Sequence, residues 1–563
     1  MSFNIGIVTT VIVSIIAFLI VFFFFYRYGA FKQPAVTYIL MLISASIPFI
    51  MCIAILPYDI SRSLNNIQSG YTSLQMTLEV LYWVSFVLTW VVGPILVSYN
   101  RYSYSISLKY KIWFTIRENL IFYGVILAVI IIGVAILLGT KQMTVSNLFP
   151  LAISLANGYG LIILCLCLGH GFIALPRTIW QMADPGKAYL FYLHKIAKET
   201  ALCASTIADG DVATTYCMEA KNSLQGTSKE LYDTIGNDRM IELSQIKGEL
   251  SIPDRCNTGE SENKRLKKFA KIEWDKCTGV QLMDFFHVLD DCILYIKETA
   301  SFVQDSSRSA LKALKDYKSK SYIKLILKRT LAVLVAICNS LCVWSEICLM
   351  FNNKLSLFYI ISNAPMPQIV SILLVSTPIM SYLIFVGSWS LTHLKLGTFF
   401  RFIKGATNSN TLNYFAIIVC RLGPTIGFHY MQQIGVKGCA FQEVMGKMDV
   451  VVFIGTKWNI YSPILMLVVM LFVAFNITEK IAKACHKGDS FSFDGTAMNY
   501  EDLSIGEEVL CEMEPEAKAI IDDGLRYSVI ANHQENKPVA KTVSSRRASS
   551  DLQEQLAKEL NDL

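Results

Sequence analysis

Two ionisable side chains stand out inside the long apolar segments of this sequence, where charge is costly and usually functional. Arg421 lies near the middle of segment 410–431, in CRLGPTIGFHY, and Glu346 lies in the outer part of segment 329–351, in VWSE. Pro424 follows Arg421 by three residues and has no backbone N–H, so we expect it to kink the helix and to free carbonyls for the guanidinium. These residues predict a polar site inside an apolar helical bundle.

Two hypotheses account for the ionisable residues. Arg421 and Glu346 could pair across the bundle and line a polar cavity used in transport or conformational switching. Alternatively, they could form a structural clamp that fixes the register of two helices. The sequence leaves both open, because direct contact requires the two side chains to lie at the same depth.

The motifs of common enzyme classes are missing from this sequence. It has no P-loop, no H-E-x-x-H, no G-x-S-x-G, no C-x-x-C pairs and no paired aspartates in its apolar segments. We therefore expect no enzyme, no catalytic residue, no metal site and no cofactor.

The elements that must position Arg421 and Glu346 are helices that cross a lipid bilayer. Hydrophobic residues make up 53% of the chain and charged residues only 17%, with a mean hydropathy of +0.44, whereas soluble domains are roughly 25% charged. The apolar residues form runs of about 20, the length that a helix needs to cross a bilayer. The predicted spans are 5–26, 36–57, 77–98, 119–139, 148–175, 329–351, 367–391, 410–431 and 459–478.

The distribution of lysine and arginine predicts how these spans are oriented. With the N-terminus outside, the short inner loops carry twelve basic residues and the outer loops carry six, which is the bias expected of cytoplasmic loops. The net charge of +6 therefore reports orientation, and we expect no nucleic-acid partner. The C-terminus is expected in the cytoplasm.

A polar region between the fifth and sixth spans has the pattern of a helical hairpin. Its second half alternates steps of four and three residues, with Ser307 as the one polar exception: Leu282, Phe286, Leu289, Ile293, Ile296, Ala300, Val303, Ser307, Ala310, Leu314 and Tyr317. Such a seam must be buried against another helix. Pairing with residues 187–250 would bury the seam within the chain. An open seam would instead recruit a helix of another protein or dimerise, and the candidate contacts are then Leu282, Phe286, Leu289, Ile293 and Ile296.

The sequence thus predicts an all-α polytopic membrane protein, with about nine transmembrane helices and a long cytoplasmic helical hairpin. Its regions are a first membrane half (1–175), a cytoplasmic helical loop (176–328), a second membrane half (329–478) and a mostly flexible cytoplasmic tail (479–563). The tail carries a candidate phosphorylation site, Ser549, after two arginines. Tyr527 and Ile530 fit the tyrosine-x-x-bulky form of an endocytic sorting signal.

Five segments resemble the limb-region (LMBR-like) membrane protein family, and within it the branch of LMBR domain-containing protein 2. They are LYWVSFVLTWVVGPILVSY (81–99), NGYGLIILCLCLGHGFIALPRTIW (157–180), VWSE (343–346), CRLGPTIGFHYM (420–431) and MGKMDVVVFIG (445–455). They cover both membrane halves. The resemblance implies nine spans, an outside N-terminus and a long cytosolic helical loop.

The functions that this resemblance implies are divided. Members of the family act as a lipocalin-internalising receptor, as a lysosomal cobalamin exporter and, in this branch, as a regulator of G-protein-coupled receptor signalling. We therefore expect a receptor-associated regulator or trafficking adaptor in the plasma membrane or an endosomal or lysosomal membrane. Besides the lipid bilayer, its expected partners are membrane or cytoplasmic proteins that bind the helical loop. The alternative is a small-molecule transporter that depends on Arg421 or Glu346.

Overall fold

The computed structural model describes residues 5–29, 35–67, 70–101, 108–140, 148–249, 265–319, 322–394, 402–445, 456–477 and 500–521. Within these ranges the chain forms a bundle of long apolar helices and a polar helical module.

Eight helices of the bundle are long and apolar enough to cross a membrane. They are α1 (Ile5–Tyr28), α2 (Ala35–Leu64), α3 (Tyr71–Asn100), α4 (Leu108–Gly139), α5 (Leu148–Gln181), α9 (Tyr322–Phe351), α10 (Gln368–His393) and α11 (Ser409–Ile434). The ninth predicted span forms α12 (Thr456–Ala474), which has 19 residues and is about 28 Å long. The prediction of an all-α polytopic membrane protein is therefore confirmed.

Helix α11 is the centre of the bundle. It is the most buried of the eight spans and packs against α2, α3, α5, α9 and α10. A side chain at Gly160 of α5 would place its Cβ 2.3 Å from Thr425 Oγ1, and one at Gly423 would meet Pro48 of α2 at 2.5 Å. Glycine at these two positions thus allows the helix backbones to approach closely.

The polar module consists of three helices, α6 (Pro185–Ser223), α7 (Gly226–Glu249) and α8 (Gly279–Lys318). Asp184 caps α6 by accepting hydrogen bonds from the Gly186 and Lys187 amides, and Thr278 caps α8 in a capping box with Gln281. Helices α6 and α8 run antiparallel and form a hairpin.

The hairpin buries the predicted seam inside the chain. Leu282, Phe286, Leu289, Ile293 and Ile296 are all at most 5% exposed, in a core that also contains residues of α6 and α7. Of the two arrangements that the sequence left open, the structure has the intramolecular one. A partner that used this seam would have to open the hairpin first.

Part of the predicted tail docks on the module as two helices, α13 (Tyr500–Met513) and α14 (Pro515–Ile520). His194 Nδ1 of α6 lies 3.2 Å from an Asp502 carboxylate oxygen. Ser307, the polar exception in the seam, is fully buried and donates to Met513 Sδ at 3.5 Å. The heptad pattern is therefore interrupted where α8 contacts the C-terminal helix.

Replacing Gly506 with valine is expected to detach α13 from the module. A Cβ at Gly506 would lie 2.1 Å from the Leu193 carbonyl oxygen, and a backbone atom of a packed helix cannot yield by that much. Hydrogen exchange in residues 500–521 should rise at least tenfold in Gly506→Val, whereas exchange in α11 should stay at the wild-type rate. Unchanged exchange in residues 500–521 would contradict the docking described here.

At each end of the bundle, the loops and helix ends contact one another. At the module end, the Gly405 amide donates to the Arg27 carbonyl and Lys404 pairs with Asp305 of α8 at 3.4 Å. At the far end, the Asp59 carboxylate accepts from the Ala440 and Phe441 amides. The C-terminal end of α1 and the loop that carries Lys404 therefore lie on the same side of the bundle as the module.

Candidate functional site

One face of α11 carries a row of polar side chains. Arg421, Thr425, His429 and Gln433 follow one another at four-residue spacing, which places them along one side of a helix. All four side chains are buried. Because polar groups inside a membrane-spanning bundle are costly, this row is the candidate functional site.

Glu346 of α9 pairs with a member of this row. Its Oε2 lies 2.5 Å from His429 Nε2, and both side chains are 3% exposed. This buried contact links α9 to the central helix α11.

The structure does not bring Glu346 and Arg421 together. Arg421 lies eight residues before His429, which corresponds to about 12 Å along α11. The sequence pointed to Arg421 and Glu346, but His429 was missed as a candidate. His429 follows Arg421 by eight residues, a spacing that places both side chains on the same face of a helix.

Pro424 lies within α11, which continues as a helix on both sides of it. The missing proline N–H leaves the Cys420 carbonyl without its intrahelical partner. The Ser85 hydroxyl of α3 donates to this carbonyl at 3.3 Å. The freed carbonyl that we expected to receive the Arg421 guanidinium is thus bound by Ser85 instead. The kink at Pro424 stays a prediction.

The Arg421 guanidinium lies between aromatic rings of α3. Its Cζ is 5.1 Å from the centre of the Phe86 ring and 5.8 Å from that of Tyr82, within the range of cation–π attraction. None of its three guanidinium nitrogens makes a hydrogen bond. Within the described ranges no carboxylate lies at ion-pair distance from it.

A cleft of about 360 Å³ opens at the far end of the bundle, near the ends of α9 and α11. Phe428, Met431 and Gln432 contribute to its wall from α11, and Asn352 and Asn353 from the turn after α9. The cleft is of the size that holds a small molecule, and it borders the segment of α11 that carries His429.

The remaining sequence-predicted sites are the seam and the tail motifs. The five seam residues are in the module core. Ser549, Tyr527 and Ile530 fall outside the described residues. Among the residues that the structure does describe, no three of the types His, Cys, Asp and Glu come together in a group that could hold a metal ion.

Comparison with known proteins gives one matching family model and several relatives. Residues 6–478 match the model of the LMBR1-like membrane proteins. "LMBR1 domain-containing protein 2 homolog A" of Dictyostelium discoideum is 26% identical over 457 residues, which is 75% of this chain and 60% of that protein. A Drosophila melanogaster homologue is 23% identical over 72% of this chain and 64% of its own length. The match therefore spans less than two thirds of these relatives.

A vertebrate relative carries a functional name. "G-protein coupled receptor-associated protein LMBRD2" of Gallus gallus is 22% identical over 82% of this chain and 77% of its own length. No solved structure matches the chain significantly.

Proposed function

Because the chain belongs to the LMBR1-like membrane protein family, we propose that it is a non-catalytic regulator that associates with G-protein-coupled receptors or acts as an adaptor in their trafficking. The name of the chicken relative supports this receptor class. The module formed by α6, α7 and α8 would carry the surface that binds partners.

The continuity between the module and the bundle is the observation that carries this proposal. Helix α5 ends at Gln181 and α6 begins at Pro185, while α8 ends at Lys318 and α9 begins at Tyr322. Such short connections transmit a displacement of the module to α5 and α9. Since Glu346 joins α9 to α11, a partner bound to the module could bias the arrangement of the bundle.

An exposed basic patch is the best candidate for the binding surface on the module. Lys267, Lys268 and Lys271 are exposed on the short helix Leu266–Lys271, while Leu266 and Phe269 of the same helix are buried in the module core. The patch therefore presents three positive charges on a firmly anchored segment. An acidic segment of a receptor or of a cytoplasmic protein would complement it.

We further propose that the module and the C-terminus face the cytoplasm, of the plasma membrane or an endosomal or lysosomal membrane. The excess of basic residues in loops on the module side supports this orientation. Phosphorylation at Ser549 and sorting through Tyr527 and Ile530 would then act on the same side as the module.

The proposed surface can be tested by reversing its charge. Lys267→Glu, Lys268→Glu and Lys271→Glu, combined in one variant, should lower the recovery of receptors in affinity purification from cells at least fivefold. The matched control reverses three other exposed lysines of the module, Lys221, Lys229 and Lys312, and should recover receptors as the wild type does. Equal recovery with both variants would contradict the role of the basic patch.

Small-molecule transport is the second candidate, favoured by the far-end cleft and the buried Glu346–His429 pair. A transporter should move a solute across proteoliposome membranes. That flux should fall in His429→Gln even when the protein is folded.

A further inference from the structure

The arginines inside this bundle differ in how their charge is compensated. Arg177 of α5 donates to the Val473 and Ala474 carbonyls and to Asn476 Oδ1 at 2.8–3.0 Å. Arg62 of α2 lies 3.9 Å from an Asp59 carboxylate oxygen. Arg421 is 2% exposed. Among the described residues, no carbonyl accepts a hydrogen bond from its guanidinium and no carboxylate pairs with it.

The aromatic rings beside Arg421 stabilise its positive charge but do not accept hydrogen bonds in the plane of the guanidinium. Phe86 and Tyr82 offer π-electron density to the guanidinium. The guanidinium has five N–H donors, however, and these need acceptors in its plane. In the apolar interior of a membrane-spanning bundle, an unmatched N–H donor is strongly unfavourable.

The polar groups next to Arg421 are also unmatched donors. The Tyr82 hydroxyl lies beside the guanidinium and beside Asn157 of α5, without the geometry of a hydrogen bond to either. Asn157 Nδ2 likewise has no acceptor. Tyr82 is 2% exposed and Asn157 is 6% exposed. Three buried side chains from α3, α5 and α11 thus bring together a positive charge and unused hydrogen-bond donors.

We infer that Arg421, Tyr82 and Asn157 form a binding site for a small monovalent anion of the size of chloride. An anion accepts from every donor and also neutralises the guanidinium, whereas a water molecule leaves the charge uncompensated.

The helices that carry the site pack closely against one another. Helices α5 and α11 touch at Gly160, where a Cβ would lie 3.2 Å from the Arg421 carbonyl oxygen and still closer to Thr425. This close approach excludes an organic anion between α5 and α11. It also fixes the three donors on rigid helices, which favours a preorganised site.

Chloride binding can be measured on the full-length protein in lipid nanodiscs, with chloride exchanged for gluconate at constant ionic strength. Chloride should raise the Tm of the wild type in a saturable way, because a ligand bound by the folded state stabilises it. Tyr82→Phe keeps the ring and removes one donor, and should raise the half-saturating chloride concentration about tenfold. Arg421→Met should abolish the chloride effect.

Arg177→Met is the matched control, since that arginine is already bound by carbonyls; its chloride effect should equal that of the wild type. If Arg421→Met does not fold, binding of radiolabelled chloride to the wild type and to Tyr82→Phe decides the question. The site is refuted if the wild type binds no chloride, or if Tyr82→Phe and the wild type respond equally. Neither result would bear on receptor association.

Discussion

Glu346→Leu is expected to destabilise the protein by about 3–5 kcal/mol, the usual cost of removing one partner from a buried, hydrogen-bonded pair. The His429 imidazole would lose the carboxylate oxygen that lies 2.5 Å away, at a position that is 2% exposed. His429→Leu should have an effect at least as large, because it strands a carboxylate. Equilibrium unfolding in mixed micelles measures both.

The double variant Glu346→Leu/His429→Leu should recover much of the lost stability, since two apolar side chains need no hydrogen-bond partner. Ser340→Leu serves as the control on the same helix, because Ser340 is exposed on α9 and the change should be near neutral. Strict additivity of the two single effects in the double variant would show that the pair is not coupled.

Leu289→Lys should unfold the hairpin, because it places an ammonium group at a fully buried position of the seam. The expected loss exceeds about 4 kcal/mol. Limited proteolysis of the full-length protein should then cleave within α6 and α8. Asp284→Lys introduces the same side chain at an exposed position of the same helix and should resist cleavage as the wild type does; equal resistance of Leu289→Lys would contradict the buried seam.

The sequence could predict the spans and the hairpin because both depend on local periodicity. A run of about 20 apolar residues matches the bilayer thickness, and the heptad steps from Leu282 onwards require a covering helix. Ser307 shows the limit of this reasoning. Its place in the pattern was visible, but only the structure shows that Met513 of α13, about 200 residues later, covers it.

The partners of the intramembrane residues could not be predicted, because they depend on helix rotation and depth. The sequence identified Glu346 but could not tell whether Arg421 or His429 would face it. Likewise, Pro424 indicated a free backbone carbonyl in the preceding turn. Only the structure shows that the Cys420 carbonyl is bound by Ser85, which lies 335 positions earlier in the chain. Such pairings arise from the packing of α3, α9 and α11 and leave no short-range pattern.

The most direct test of the proposed function is a measurement of proximity in a defined membrane. The chain, labelled at an exposed site of the module, and a purified G-protein-coupled receptor that it recovers from cells would be reconstituted together in vesicles. Receptor association predicts Förster energy transfer that saturates with receptor density and decreases in the Lys267/Lys268/Lys271 reversal variant. Transfer no higher than that between the receptor and an unrelated polytopic protein at the same density would contradict it.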